Sequence, residues 1–84
     1  MIRYSIIIPV LNEEKNLPKL FQNLNTFDEA KEIIVVDGGS NDKSVVLART
    51  YKVKVYKGVR GRGKQLNLGA EKAVGEITIL PSNA

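Results

Sequence analysis

The sequence predicts an α/β fold, an open parallel sheet of four strands whose crossover helices give the order βαβαβαβ. Three observations predict it. Apolar, β-branched runs recur along the chain, segments of helical periodicity fall between them, and turn-forming residues stand at the junctions. Crossover helices between short strands imply parallel pairing with right-handed connections.

The elements follow in order. Tyr4 to Val10 (YSIIIPV) is too continuously apolar for a half-exposed strand, so it should be covered on both faces. Pro9 cannot donate to the ladder and marks the strand's end. Leu17, Leu20, Phe21 and Leu24 recur at helical spacing and should face the sheet. Asn16 is the expected cap, and Pro18 is tolerable in a first turn. Glu32 to Asp37 (EIIVVD) is a second buried strand that ends on a carboxylate. Gly38-Gly39-Ser40-Asn41-Asp42 is turn chemistry, with Asn41 or Asp42 able to cap a short helix over Lys43 to Tyr51. Val53 to Lys57 alternates apolar and charged residues, as a strand with one face or edge exposed does. After a Gly- and Arg-rich loop from Gly58 to Gly63, Lys64 to Val74 reads as a helix with Leu66, Gly69, Ala70 and Ala73 on one face and Gly75 as its stop. Ile77 to Leu80 is the last strand. The first three strands should wind outward and the fourth return beside the first, with a ligand crevice at that switch.

Composition narrows the function. The 84 residues suffice for one small domain, and 43% hydrophobic with 26% charged is ordinary for a globular chain. No segment approaches the about 18 consecutive apolar residues of a membrane span, and Ile6 to Leu11 is too short for a signal core. With no cysteine and no histidine, disulfides, thiolate metal sites, zinc chemistry and a Ser-His-Asp mechanism are excluded. The net charge is +4, and Lys52, Lys54, Lys57, Arg60, Arg62 and Lys64 crowd one stretch. That stretch is either a solvated face or an attractor of a phosphorylated ligand. Only Tyr51 and Tyr56 could stack on bases there and no binding module is recognisable, so a nucleic-acid partner is not expected.

Four segments should meet at the carboxyl ends of the strands, where ligands bind in open parallel sheets. They are Pro9 to Glu14, Asp37 with its glycines, Gly58 to Lys64, and Ser82-Asn83-Ala84. Asp37 suits an acceptor for a base or ribose donor, or equally a cap for its own turn. Gly38 and Gly39 permit a positive φ or the close approach of a ligand. Asn12, Glu13 and Glu14 open a helix, where acidic residues are favoured by the macrodipole in any case. Gly58 to Lys64 has the spacing of a P-loop, but Gln65 stands where a hydroxyl must reach Mg²⁺, so that reading fails. What survives is a helix start with Arg62 and Lys64 nearby, competent to hold a diphosphate.

Three stretches together resemble family-2 glycosyltransferases. They are Ser5 to Glu14, Val35-Val36-Asp37-Gly38-Gly39-Ser40-Asn41-Asp42, and Gly61 to Ala70, followed by Gly75-Glu76-Ile77. The set covers nearly the whole chain in the family's order. It implies a Rossmann-like parallel sheet forming the N-terminal half of a GT-A domain, and a nucleotide-diphospho-sugar as ligand. It further implies Pro9, Leu11, Glu13 and Asp37 as nucleoside contacts, with Arg62 and Lys64 near the diphosphate. Leu11 departs from the commoner tyrosine, and Gly38 from the commoner second aspartate. The largest departure is Pro81-Ser82-Asn83-Ala84, where the family carries an Asp-x-Asp motif for Mg²⁺ or Mn²⁺; neither Ser82 nor Ala84 brings a carboxylate. The resemblance thus implies one partial domain, residues 1–84, that binds donor, with no metal ligands and no catalytic residue of its own. The alternative is a non-catalytic truncated remnant or nucleotide-binding module. A cytoplasmic location is expected, with peripheral membrane contact as in relatives that use lipid-linked acceptors. The apolar fourth strand would be an unpaired edge prone to self-association.

Overall fold

Strand β1 (Tyr4–Val10) is buried at every position after Tyr4, and β2 (Lys31–Asp37) at every position after Lys31. Strands apolar on both sides need cover on both faces, which places them at the centre of a sheet. The structure, a computed structural model describing residues 1–83, has them there. Around them stand helix α1 (Leu17–Asn25), helix α2 (Ser44–Arg49), strand β3 (Lys54–Lys57), helix α3 (Arg62–Lys72) and strand β4 (Glu76–Ile79). The strand order is β3-β2-β1-β4 with every pairing parallel, and Ile7 lies opposite Ile34 on one side and Ile79 on the other. The expected outward winding and return of the fourth strand are therefore present.

Period-two alternation in the central strands builds two cores. On one face, Ile6, Ile8, Val10, Ile33 and Val35 pack against Leu17, Leu20, Phe21 and Leu24 of α1 and Ala48 of α2. On the other, Ile7, Ile34 and Val36 meet Leu66, Leu68 and Ala73 from the α3 segment. Helix α3 rides low over β1 because residue 69 is glycine: a Cβ there would lie 2.5 Å from Ile7 Cγ2.

Several details differ from the expectation. The second helix is shorter, at Ser44–Arg49, and α3 starts two residues earlier and ends at Lys72. Ala70 is exposed, and Gln65 joins Gly69 as a buried position of α3. Asn16 makes no side-chain cap; its amide donates to Glu13 Oε2 at 3.2 Å. Gly75 does not end the helix through a left-handed conformation, since Ala73 is the cap and turns directly into extended backbone. A side chain is excluded at Gly75 because a Cβ would lie 2.9 Å from the Arg3 carbonyl. Among the described residues, no helix is long and apolar enough to cross a membrane.

The amino end of the sheet is tied by a carboxylate. Glu32, 6% exposed, accepts hydrogen bonds from Ser5 Oγ (2.5 Å), Lys54 Nζ (2.7 Å) and the Val74 amide (2.9 Å), while Ser5 Oγ accepts from the Gly75 amide (2.8 Å). One side chain thus joins β1, β2, β3 and the turn between α3 and β4. Burial alone would raise its pKa. The hydrogen bonds from Lys54, Ser5 and Val74, with the Lys54 charge, outweigh burial and hold it at about 2 against an ordinary 4.5.

A carboxyl group depressed on folding stabilises the fold above its unfolded pKa, and that contribution disappears as pH falls through its folded value. Stability should therefore decline between pH 4.5 and about 2. Lys54 is half exposed and screened, so we expect a loss on the order of 2 kcal/mol. Urea unfolding followed across this range should show the decline, and Glu32→Gln should be less stable at pH 7 and flatten it.

Candidate functional site

At the carboxyl end, β1 and β2 run into loops that hold each other. The Asn12 amide donates to Ser40 Oγ (2.8 Å), the Asn41 amide to Asn12 Oδ1 (2.7 Å), the Glu13 amide to Ser44 Oγ (2.8 Å), and the Glu14 amide to Asp42 Oδ2 (3.2 Å). Asn12 sits at φ 55°, a left-handed conformation that asparagine tolerates better than most residues. The Ser44 hydroxyl bond does most to keep the Asp42 carboxyl below its ordinary range; desolvation opposes it, and the Ser44 and Glu14 amides assist. The amides of residues 12 to 14 are thereby occupied by side chains of the second loop and are not free for an anion.

Asp37 supports this zipper from below. It is 3% exposed, its Oδ2 accepts from the Gly39 and Ser40 amides at 2.9 Å each, and its Oδ1 accepts from Ser40 Oγ. Of the two roles its position suggested, the structure displays the turn-capping one. Gly39, at φ 100°, supplies the positive φ of that turn.

Helix α3 brings a different end to the same edge. Gly61, at φ 136°, begins it without a side-chain cap, and the Gln65 amide makes the first helical bond, to Gly61 O, at 2.9 Å. The N–H groups of Arg62, Gly63 and Lys64 precede that bond and have no acceptor within the helix. Gln65 turns inward and donates from Nε2 to Val10 O (3.1 Å) and Val36 O (2.9 Å), bridging carbonyls near the carboxyl ends of the two central strands. Gly38 makes room for it: a Cβ there would be 2.8 Å from Gln65 Cδ. The space that glycine leaves is filled by this side chain.

Between these elements lies a cavity of about 340 Å³, lined by Pro9, Val10, Leu11, Glu13, Arg60, Gly61, Arg62, Gln65, Pro81, Ser82 and Asn83. It sits where β1 and β4 separate, the point at which the strand order reverses. Its volume falls within the roughly 300–1,000 Å³ of small-molecule sites. Of the residues singled out from sequence, Pro9, Leu11, Glu13 and Arg62 meet here. Asp37 lies beneath the second loop rather than on the wall. Lys64 lines a separate hollow of about 580 Å³ with Lys57, Asn67 and Glu71, off the switch point. Sequence reasoning did not select Arg60, Gln65 or Ser82 as site residues. Arg60 and Ser82 lie in segments expected at this edge, the basic stretch and the chain after the fourth strand; the signal for Gln65 was a polar residue four positions before Gly69 on the helix stripe that faces the sheet. Ser82 donates to Glu13 Oε2 at 2.8 Å, joining the chain after β4 to the first loop. Ala84 lies outside the described residues.

The Glycosyl transferase family 2 profile matches residues 5–81. The chain belongs to that family. It is 39% identical over 83 residues to the 4,4'-diaponeurosporenoate glycosyltransferase of Staphylococcus haemolyticus, covering 89% of this chain and 22% of the relative. Among solved structures, S. aureus TarS 1-349 in complex with UDP superposes at a TM-score of 0.90 with 28% identity, over 98% of this chain and 28% of that one. The glucosyl-3-phosphoglycerate synthase of Mycobacterium tuberculosis, solved with Mn²⁺, UDP and phosphoglyceric acid, shares the fold at a TM-score of 0.79 and 24% identity, over 95% and 32%. The expected Rossmann-like GT-A sheet is thus the fold of this family member. The chain spans between a fifth and a third of the length of these relatives.

A divalent ion of the kind bound in the synthase does not fit the residues present. The described residues contain no group of three or more acidic side chains that could hold one. The cavity's single carboxylate, Glu13, already accepts from Ser82 and Asn16, and Arg60 and Arg62 share the space. Hard cations take oxygen ligands, and two guanidinium groups repel them.

The Gln65 bridge yields a stability prediction. Gln65→Leu removes the amide that bridges the Val10 and Val36 carbonyls, while the Gly38 amide still serves Val10 O, and should lower unfolding free energy by about 1–2 kcal/mol. Denaturant titration measures this, and an unchanged midpoint would contradict the bridge.

Proposed function

We propose that residues 1–84 form a single nucleotide-sugar-binding unit of a family 2 glycosyltransferase, holding the nucleoside diphosphate of the donor in the cavity beside β1 and β4. The observation that carries this is the meeting of Glu13, Arg60 and Arg62 in one hollow at the switch point. The UDP bound to the similar TarS structure supports it. In this reading Pro9 and Leu11 flank the base, Glu13 accepts from a nucleoside donor group, and Arg62 pairs with the diphosphate. Asp37 serves the nucleoside from behind, through the turn that holds Ser40 and Asn12. Lys64 adds positive charge at the start of α3. In the transfer itself an acceptor oxygen attacks the anomeric carbon, and the bond from that carbon to the phosphate oxygen breaks. The diphosphate departs with the electron pair. The residues described bind and orient the leaving group; none of them is assigned as the acceptor's base.

Self-association through β4 belongs to the same proposal. The Glu76 and Leu80 amides donate inward to Arg3 O and Ile7 O, so Ile77 and Ile79 turn their backbone groups to the free edge. Their side chains remain 47% and 46% exposed, and an edge of this kind pairs readily with a second copy.

Isothermal titration with UDP and GDP should show weak binding of at least one, without turnover of the corresponding nucleotide sugar. Arg62→Ala should weaken it about tenfold, the loss of one charge-assisted phosphate contact. Absence of binding by either nucleotide at millimolar concentration would overturn the assignment. Sedimentation should show a concentration-dependent dimer that Ile79→Lys converts to monomer; a wild-type monomer at high concentration would refute the edge pairing.

A further inference from the structure

We propose that this cavity captures the diphosphate without a divalent cation, using Arg60 and Arg62 as the countercharge, and that Arg60 is a phosphate-binding residue. The proposal rests on the nucleotide-binding reading above and specifies how the charge of the ligand is met.

The lining carries two guanidinium groups against one carboxylate. Neither arginine is committed elsewhere: the ion pairs among the described residues are Arg3 with Glu29 and Lys54 with Glu32. Both arginines are exposed, so no desolvation has been incurred before a ligand arrives. The carboxylate is committed through one oxygen, since Glu13 Oε2 holds Ser82 and Asn16, which leaves Oε1 for the nucleoside donor group. Ser82 is 8% exposed, and its hydroxyl faces Glu13, so the chain after β4 brings a neutral donor to the cavity wall.

The two arginines flank Gly61, where α3 begins uncapped and with no acidic residue in its first turn. The start of a helix carries about half a positive charge and free N–H groups, so the arginines and the helix act in the same direction. A diphosphate offers oxygens to both guanidinium groups, which bind phosphate through paired N–H donors. A dication entering the same space would meet two like charges and one engaged carboxylate. The arrangement therefore favours the bare anion over its metal complex. Neutralisation by fixed cations also helps the diphosphate to depart, since the stabilising charge is already in position.

The test is titration of the full chain with UDP in EDTA and again in excess Mn²⁺ or Mg²⁺, with uridine as the phosphate-free probe. The affinity for UDP should agree within about twofold between the two conditions. Arg60→Ala should weaken UDP binding about tenfold, and Arg60→Ala with Arg62→Ala about a hundredfold, while uridine binding stays unchanged. Arg60→Lys should recover only part of the loss, because an ammonium lacks the paired donors. Circular dichroism confirms that each variant is folded. UDP binding that requires the divalent ion would overturn this proposal and leave the nucleotide-binding reading standing. UDP binding indifferent to Arg60→Ala would overturn the role of Arg60. Failure of UDP to bind in both conditions would overturn the two readings together.

Discussion

The side-chain amide of Gln65 holds the working end of this molecule together. Where β1 and β2 stop, Val10 and Val36 present carbonyls at the edge of an apolar sheet, and buried carbonyls need donors. The Gly38 amide already donates to Val10 O at 2.8 Å, and Gln65 Nε2, from the first turn of α3, adds a bond to each carbonyl and bridges the two strands. In doing so it sets the position of that helix start over the sheet, and with it Gly61 and the two arginines beside the cavity. Gly38 is the complementary element, since any side chain there would displace the amide.

The opposite end of the sheet is tied by a different kind of bond. Glu32 collects donors from three segments and, with Ser5, secures the turn between α3 and β4. One end is thus closed by a buried ion-paired network and the other by a neutral amide. At the carboxyl end Asp37 is buried within its own turn, while Arg60, Arg62 and Glu13 border the cavity. The first two loops are locked together by four hydrogen bonds from backbone amides to side chains, so that side of the cavity is preformed. The free helix start lies on the other side. Binding sites on rigid supports lose less freedom when occupied, which would suit the nucleoside diphosphate proposed as ligand.

Much of this is legible in the sequence. Continuous β-branched runs at Tyr4 to Val10 and Glu32 to Asp37 marked the central strands, because burial on both faces erases alternation. The helix over Leu17 to Leu24 followed from its spacing. Of the candidate residues named from sequence, Pro9, Leu11, Glu13 and Arg62 line one cavity. Asp37 shows the limit of motif reading. Its place at a strand end is equally suited to a ligand or a turn, and the chain's own Ser40 and Gly39 take up its oxygens. Gly38 was ambiguous for the same reason, since a missing side chain does not say what fills the gap.

The sequence by itself determined the class of fold, the order of its elements and the family, because these depend on periodicity, turn chemistry and motif spacing along the chain. It also determined that neutral residues stand at Ser82 and Asn83. Tertiary structure decided which residues of the converging segments line one cavity and which do not. Arg60 and Ser82 are 22 positions apart and meet through the crossover of α3 and β4. Gln65 and Val10 are 55 apart and meet because α3 crosses back over β1. Such contacts depend on how the helices pass over the sheet, a geometry that local spacing does not encode.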